Sequence, residues 1–149
     1  MDGDGYPTLD SAGIETRSIL ADDGVFTTLA FVTLDGTGNR ELSFARKPGA
    51  DTQLRFEDLD LSLIDEAKVF RFGTLSLTDE PARSATYQAV AYAKSKGKLI
   101  TYDPNLRKPL WRSMEDAKQQ LLWGLRQADI VKISNEEVEF LFGLGVKEG

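Results

Sequence analysis

Three short stretches hold the side chains best suited to chemistry: Gly73-Thr74-Leu75-Ser76, Asp103-Pro104-Asn105-Leu106-Arg107, and Ser134-Asn135-Glu136-Glu137. A carboxylate, an amide and a guanidinium fork within five residues offer donors and acceptors to an oxygen-rich or anionic ligand. The hydroxyls and carboxylates of the other two stretches extend that set. Other chemistries are excluded by composition. With no cysteine and no histidine, the chain has no thiol nucleophile, no cysteine zinc site, no Ser-His-Asp hydrolysis and no histidine acid–base catalysis. Proton transfer falls to carboxylates, lysine or tyrosine. A net charge of −6 argues against nucleic acid or an anionic membrane as partner. Each stretch also has a plainer reading. Asp-Pro-Asn is a common turn, and Ser134-x-x-Glu137 matches the capping box. Arg107 alone reads as a solvated arginine, and Thr74 and Ser76 as groups that satisfy a strand end.

The elements that must position these stretches can be read from pattern. A chain of 149 residues, 41% hydrophobic and 28% charged, is an ordinary composition for one domain with its own core. Val25 to Leu34, the turn residues Asp35-Gly36-Thr37-Gly38-Asn39, and Arg40 to Arg46 predict a β-hairpin, with Leu42 and Phe44 on one face of its second arm. Phe44 there is either hairpin core or a lid over a ligand. Lys47 to Asp51 is the expected hinge. FEDLDLSLIDEA predicts a short helix, Lys68 to Phe72 a strand, and Glu80 to Lys96 a helix with Asp79 and Pro81 at its start. Lys98 to Tyr102 predicts a strand. Ser113 opens a helix running to about Gln127, Asp129 to Ile133 forms a strand with Lys132 snorkelling at its edge, and a last helix runs from Ser134 to about Phe142. Pro104 ends its strand and Pro109 blocks early helix growth, while Leu110 and Trp111 anchor the loop.

Alternation of strand and helix at these lengths predicts an α/β fold, a doubly wound parallel sheet covered by helices, with the hairpin as a separate layer. Parallel strands share a direction, so Thr74, Asn105, Arg107 and Glu137, each following a strand, are expected at one edge of the sheet. No window reaches the roughly 18 apolar residues of a membrane span, and MDGDGYP lacks the pattern of a signal peptide. A cytoplasmic protein is the expectation, with neither membrane nor nucleic acid as partner.

Three motifs in this order resemble one family. FGTLSL with EPARSA, DPNLR followed by LW, and KISNEE place the stretch from about Thr16 to Gly143 close to the ribokinase-like (PfkB) carbohydrate kinases, and within them the fructokinases. The resemblance implies a partial ribokinase-like fold: residues 1–24 a shortened N-terminal segment, 25–46 a hairpin lid, and 52–149 an incomplete α/β core. It implies phosphoryl transfer from ATP, with Mg2+, to a sugar hydroxyl, fructose being favoured. By the same resemblance Arg107 stabilises charge on the transferring group, and Phe44, Arg46, Thr74 and Asn105 meet the sugar. Ser134 and Glu137 belong by it to the nucleotide and magnesium network. Independently of the resemblance, the apolar alternation of the hairpin is too extensive for an isolated ribbon, so a homodimer through the hairpin is expected. The family's Gly-Ala-Gly-Asp segment, with its catalytic base, has no counterpart here, so the chain alone is expected to be inactive. A 2-keto-3-deoxygluconate-type kinase and a non-catalytic binding or dimerisation module are the alternatives.

Overall fold

The computed structural model describes residues 6–34, 36, 38 and 40–143, with the backbone alone at 40 and 41. A five-residue helix, α1 (Pro7–Ser11), precedes an antiparallel hairpin of β1 (Leu29–Leu34) and β2 (Arg40–Ala45), in register from Leu29 opposite Ala45 to Leu34 opposite Arg40. The hairpin begins at Leu29 rather than Val25. Phe26 instead bridges to Gly49, and its carbonyl accepts the Ala50 N–H at 3.0 Å. The start of the apolar run is therefore folded against the segment that follows β2. Of the expected turn, Asp35, Thr37 and Asn39 lie outside the described residues.

A parallel sheet in the order β3 (Val69–Phe72), β4 (Leu99–Tyr102), β5 (Ile130–Val131) forms the centre. Phe72 lies opposite Tyr102, and Tyr102 opposite Val131. Lys132, expected inside the last strand, stands just past its end with a side chain 85% exposed.

Helix α2 (Leu61–Glu66) is capped by Asp60, which accepts the Ser62 N–H at 3.0 Å. The single helix expected there is divided, because Leu59 is extended (ψ 131°) between α2 and a 3-10 turn at Phe56–Asp58. Helix α3 (Ala82–Ser95) follows β3. Its first turn is served by Glu80, whose carboxylate accepts the Ser84 N–H at 3.1 Å. The Asp79 carboxylate does not cap; it faces Arg112 at 3.1 Å. Helix α4 (Met114–Gln127) starts from Ser113, whose Oγ accepts the Asp116 N–H at 3.0 Å. Helix α5 (Asn135–Phe142) ends at Gly143, where a φ of 66° favours glycine.

The core lies between one sheet face and the helices. Phe72, Ile100 and Tyr102 are buried with Ala89, Val90 and Ala93 of α3. Those small residues let the helix backbone come close to the strands, and burying a side chain the size of Ile100 contributes roughly 1.5–3 kcal/mol. Leu77, Trp111, Ala117, Leu121 and Leu141 form a second cluster under the loops. Helices α3 and α4 lie side by side, joined by Arg83 to Asp116 at 2.7 Å and by the Tyr87 hydroxyl to Gln120. Among the described residues, helices cover only this face. On the other, Val69, Leu99 and Ile130 are 47%, 41% and 56% exposed.

Candidate active site

At the carboxyl end of the sheet the chain leaves β3, β4 and β5 in the same direction, and the three exits are tied together. The Thr74 N–H and Oγ1 both donate to the Pro104 carbonyl, at 3.0 and 2.6 Å. The Asp103 N–H donates to the Phe72 carbonyl at 3.1 Å, and the Lys132 N–H to that of Tyr102 at 2.9 Å. Gly73 is required here, since a Cβ on it would sit 2.7 Å from the Asp103 carbonyl oxygen.

Above these exits opens a cleft of about 650 Å3. Asp103 and Asn105 to Pro109 line it from the segment after β4. Lys132, Ile133, Ser134, Glu136 and Glu137 line it from the segment after β5, and Leu42 from β2. Asn105 holds a φ of 49°, a left-handed conformation that asparagine tolerates better than most residues. Arg107 is half-buried; the one hydrogen bond of its side chain among the described residues is a long contact, 3.4 Å, from Nη1 to the Leu106 carbonyl. Its fork is therefore available to a ligand. Pro109 lies inside a 3-10 turn, Lys108–Leu110, rather than preventing one. Leu110 and Trp111, 6% and 8% exposed, anchor the loop as expected.

The carboxylates of the cleft are unequally engaged. Asp103 joins two cations, Arg71 on β3 at 2.6 Å and Lys132 just past β5 at 3.4 Å. Glu137 is buried; it accepts the Leu106 N–H at 2.7 Å and the Ser134 N–H at 2.9 Å, while its own N–H donates to the Ser134 Oγ at 3.3 Å. The capping box expected at Ser134 is thus formed. Beneath, the buried Tyr102 hydroxyl has no partner among the described residues. Burial first, and then the charge of Glu137, push this phenol far above its ordinary range.

The structure brings Asn105, Arg107, Ser134 and Glu137 to one cleft. Thr74 lines an adjoining depression that shares Asp103 and Asn105 with it. Phe44 and Arg46 lie apart, in a hollow that meets the cleft at Pro109. Arg46 has its donors engaged: Nε and Nη2 reach Asp51 at 2.8 and 2.6 Å, Nη1 reaches Thr78 at 2.5 Å, and Nη2 also reaches the Leu75 carbonyl at 2.8 Å. In this arrangement Arg46 fastens the base of the hairpin to the segment after β3, through the stretch expected to be a hinge.

Burial raises the Asp51 carboxyl, but hydrogen bonds from Arg46 and Thr28 outweigh it and hold the group below the usual range. A carboxyl more acidic folded than unfolded stabilises the fold fully above about pH 4 and loses that contribution as pH falls through the folded value. Asp51→Asn is therefore expected to flatten the loss of stability as pH falls below about 4. Urea unfolding across that window checks it, and an unchanged pH slope would show that the pair contributes nothing.

Arg71, Lys132 and Leu42 were not singled out from sequence as site residues. The rule that placed Asp103 at the strand ends places Lys132 there too, because pairing stops at Val131.

The sequence pattern of the pfkB family carbohydrate kinases matches residues 7–147. The chain belongs to that family. It is 50% identical over 129 residues to a probable fructokinase-3 of Arabidopsis thaliana, covering 87% of this chain and 37% of that protein. It is 47% identical over 135 residues to fructokinase-2 of Solanum lycopersicum, covering 91% and 41%. The crystal structure of a Xylella fastidiosa fructokinase with bound ATP superposes with a TM-score of 0.85 at 33% identity, over 93% of this chain and 42% of that one. A Vibrio cholerae O395 fructokinase, in its fructose, ADP and calcium ion bound form, gives 0.80 at 29% identity, over 92% and 44%. The α/β fold, a parallel sheet with an antiparallel hairpin, is thus the ribokinase-like fold of fructokinases over part of its length. The chain spans about two fifths of these curated pfkB relatives.

Proposed function

We propose that this chain forms the phosphate-side part of a fructokinase-like sugar kinase that transfers the γ-phosphate of ATP to a hydroxyl of fructose. One observation carries the reading: in a family member this close to fructokinases, one cleft at the carboxyl edge of the sheet gathers Arg107, Lys108 and Lys132 beside Asn105. Phosphoryl transfer is accelerated chiefly by positioning and by countering charge on the transferring oxygens. Arg107 suits that task, since its planar fork matches phosphate oxygens and makes no ion pair among the described residues. Asn105, and Thr74 beside it, stand on the acceptor side. Phe44 is assigned to the sugar side from the hairpin, in the hollow that meets the cleft at Pro109. A cytoplasmic location accords with this reading.

Magnesium fits these residues poorly as a directly held ion. Among the described residues no three of Asp, Glu, His or Cys cluster as a metal site, and both Glu137 oxygens already accept backbone N–H groups. Magnesium is usually held by substrate phosphates, water and one or two carboxylates, so no step is assigned to it here.

Proton removal from the sugar needs a base within hydrogen-bond reach. Asp103 is paired with two cations and Glu137 with two amides, while Glu136 lines the cleft from an exposed position; with the family's base-bearing Gly-Ala-Gly-Asp motif having no counterpart in these residues, the base is assigned to a part of the protein outside this chain. The test is to graft these residues in place of the matching segment of the tomato relative. Fructose-dependent ATP turnover is expected from the graft and none above background from the 149-residue chain alone. Turnover by the chain alone overturns the partial-site reading, and a folded but inactive graft overturns the kinase reading.

The hairpin carries the proposed dimer contact. Leu29, Phe31, Val32 and Leu34 are 52%, 55%, 57% and 67% exposed, more apolar surface than a lone ribbon retains in water. A second copy's hairpin offers a matching surface. Phe31→Lys is expected to convert a dimer to monomer in sedimentation equilibrium, and a wild-type monomer at high concentration contradicts the proposal.

A further inference from the structure

The Glu137 carboxylate does more than cap its own helix. Its Oε2 closes the capping box at Ser134, but its Oε1 accepts the N–H of Leu106 at 2.7 Å. Leu106 belongs to the segment that leaves β4, a separate excursion of the chain, and lies between Asn105 and Arg107. We infer that Glu137 is a strut: a positioning residue that locks the Asn105–Arg107 segment onto the N-terminus of α5, and not a magnesium-holding group.

Three observations support this assignment. Glu137 is only 7% exposed, so its charge is compensated by the two amides that bond to it rather than by solvent. Asn105, next to the anchored residue, holds a φ of 49°, a left-handed turn in the backbone that the bond at Leu106 helps keep in place. On the other side, the Arg107 carbonyl accepts the Leu110 N–H at 2.9 Å, a bond within its own turn, so the link from this segment across to α5 is the one that Glu137 makes at Leu106. The carboxylate thus connects the exits of β4 and β5 above their last paired residues, where sheet hydrogen bonding has ended.

The assignment of the strut rests on geometry alone; its consequence for phosphate binding rests on the proposed kinase reading. Amide hydrogen exchange on the 149-residue chain tests the first. Glu137→Ala is expected to speed exchange at Leu106 roughly tenfold or more, as loss of a hydrogen bond to a charged acceptor implies. Glu137→Gln keeps one carbonyl acceptor and should fall between. Ser134→Ala weakens the cap of α5 but leaves the carboxylate in place, and should change Leu106 exchange by less than about twofold. Unchanged exchange in Glu137→Ala, or equal acceleration in Ser134→Ala, overturns the strut.

The second readout is tripolyphosphate affinity by titration calorimetry, with and without Mg2+. A positioning role predicts that Glu137→Ala weakens binding by the same factor in both conditions. A defect seen only with Mg2+ overturns the positioning role in favour of a metal role. Absence of tripolyphosphate binding by the wild-type chain overturns the proposed phosphate cleft, while Leu106 exchange still decides the strut.

Discussion

Arg107→Ala in the active graft is expected to lower the rate of sugar phosphorylation by roughly 10²–10³, equivalent to about 2.7–4 kcal/mol, the usual consequence of deleting one preorganised donor to developing charge. The loss should fall mainly on kcat, because charge spreads onto the phosphoryl oxygens most fully in the transition state. Stability should hardly change, since the side chain is half-buried and makes a single long hydrogen bond among the described residues. Arg107→Lys restores charge without the planar fork, so partial recovery separates bidentate geometry from charge alone. Steady-state kinetics beside urea unfolding decides the matter. Unchanged kcat and KM in Arg107→Ala would make the residue a solvated surface arginine.

Gly124→Ala is expected to show the largest effect on folding. On a free helix the substitution stabilises by about 1 kcal/mol. Here a Cβ would lie 2.3, 2.6 and 2.7 Å from three ring atoms of Tyr102. That ring is 1% exposed and stacked on Phe72 with centroids 4.6 Å apart, so it cannot swing into solvent. Overpacking of this kind costs typically 1–3 kcal/mol and at times more, and with three ring atoms in the way the clash should exceed the propensity gain. A net loss of about 2 kcal/mol is expected. The disturbance should reach the site as well, because Tyr102 ends the central strand and its carbonyl accepts the Lys132 N–H. Chemical denaturation gives the first effect, and tripolyphosphate titration of the folded variant the second. A variant more stable than wild type would mean that the ring and helix part freely.

The local part of this protein was legible in its residues. Periodicity located α3, because helix spacing of alanines is a one-dimensional signal. Ser113 and Ser134 marked their helix starts because capping acts within three residues. The three motifs identified the family before any fold was known, and strand direction alone predicted that Asn105, Arg107 and Glu137 share one edge. What tertiary structure decided is how far-apart residues use each other. Nothing within a few residues of Glu137 indicates that its second oxygen holds Leu106. Nothing near Asp103 reveals that it draws Arg71 and Lys132 together, because one comes from β3 and the other from the exit of β5. The end of β5 at Val131, rather than Ile133, is likewise set by where pairing with β4 stops. Arg46 shows the same divide: the family resemblance implies a residue that meets the sugar, whereas its donors are engaged by Asp51, Thr78 and a backbone carbonyl after β3. Backbone propensity and capping act along the chain and are written in it; charge pairing and hydrogen bonding across the sheet edge depend on distances that only the packed fold creates.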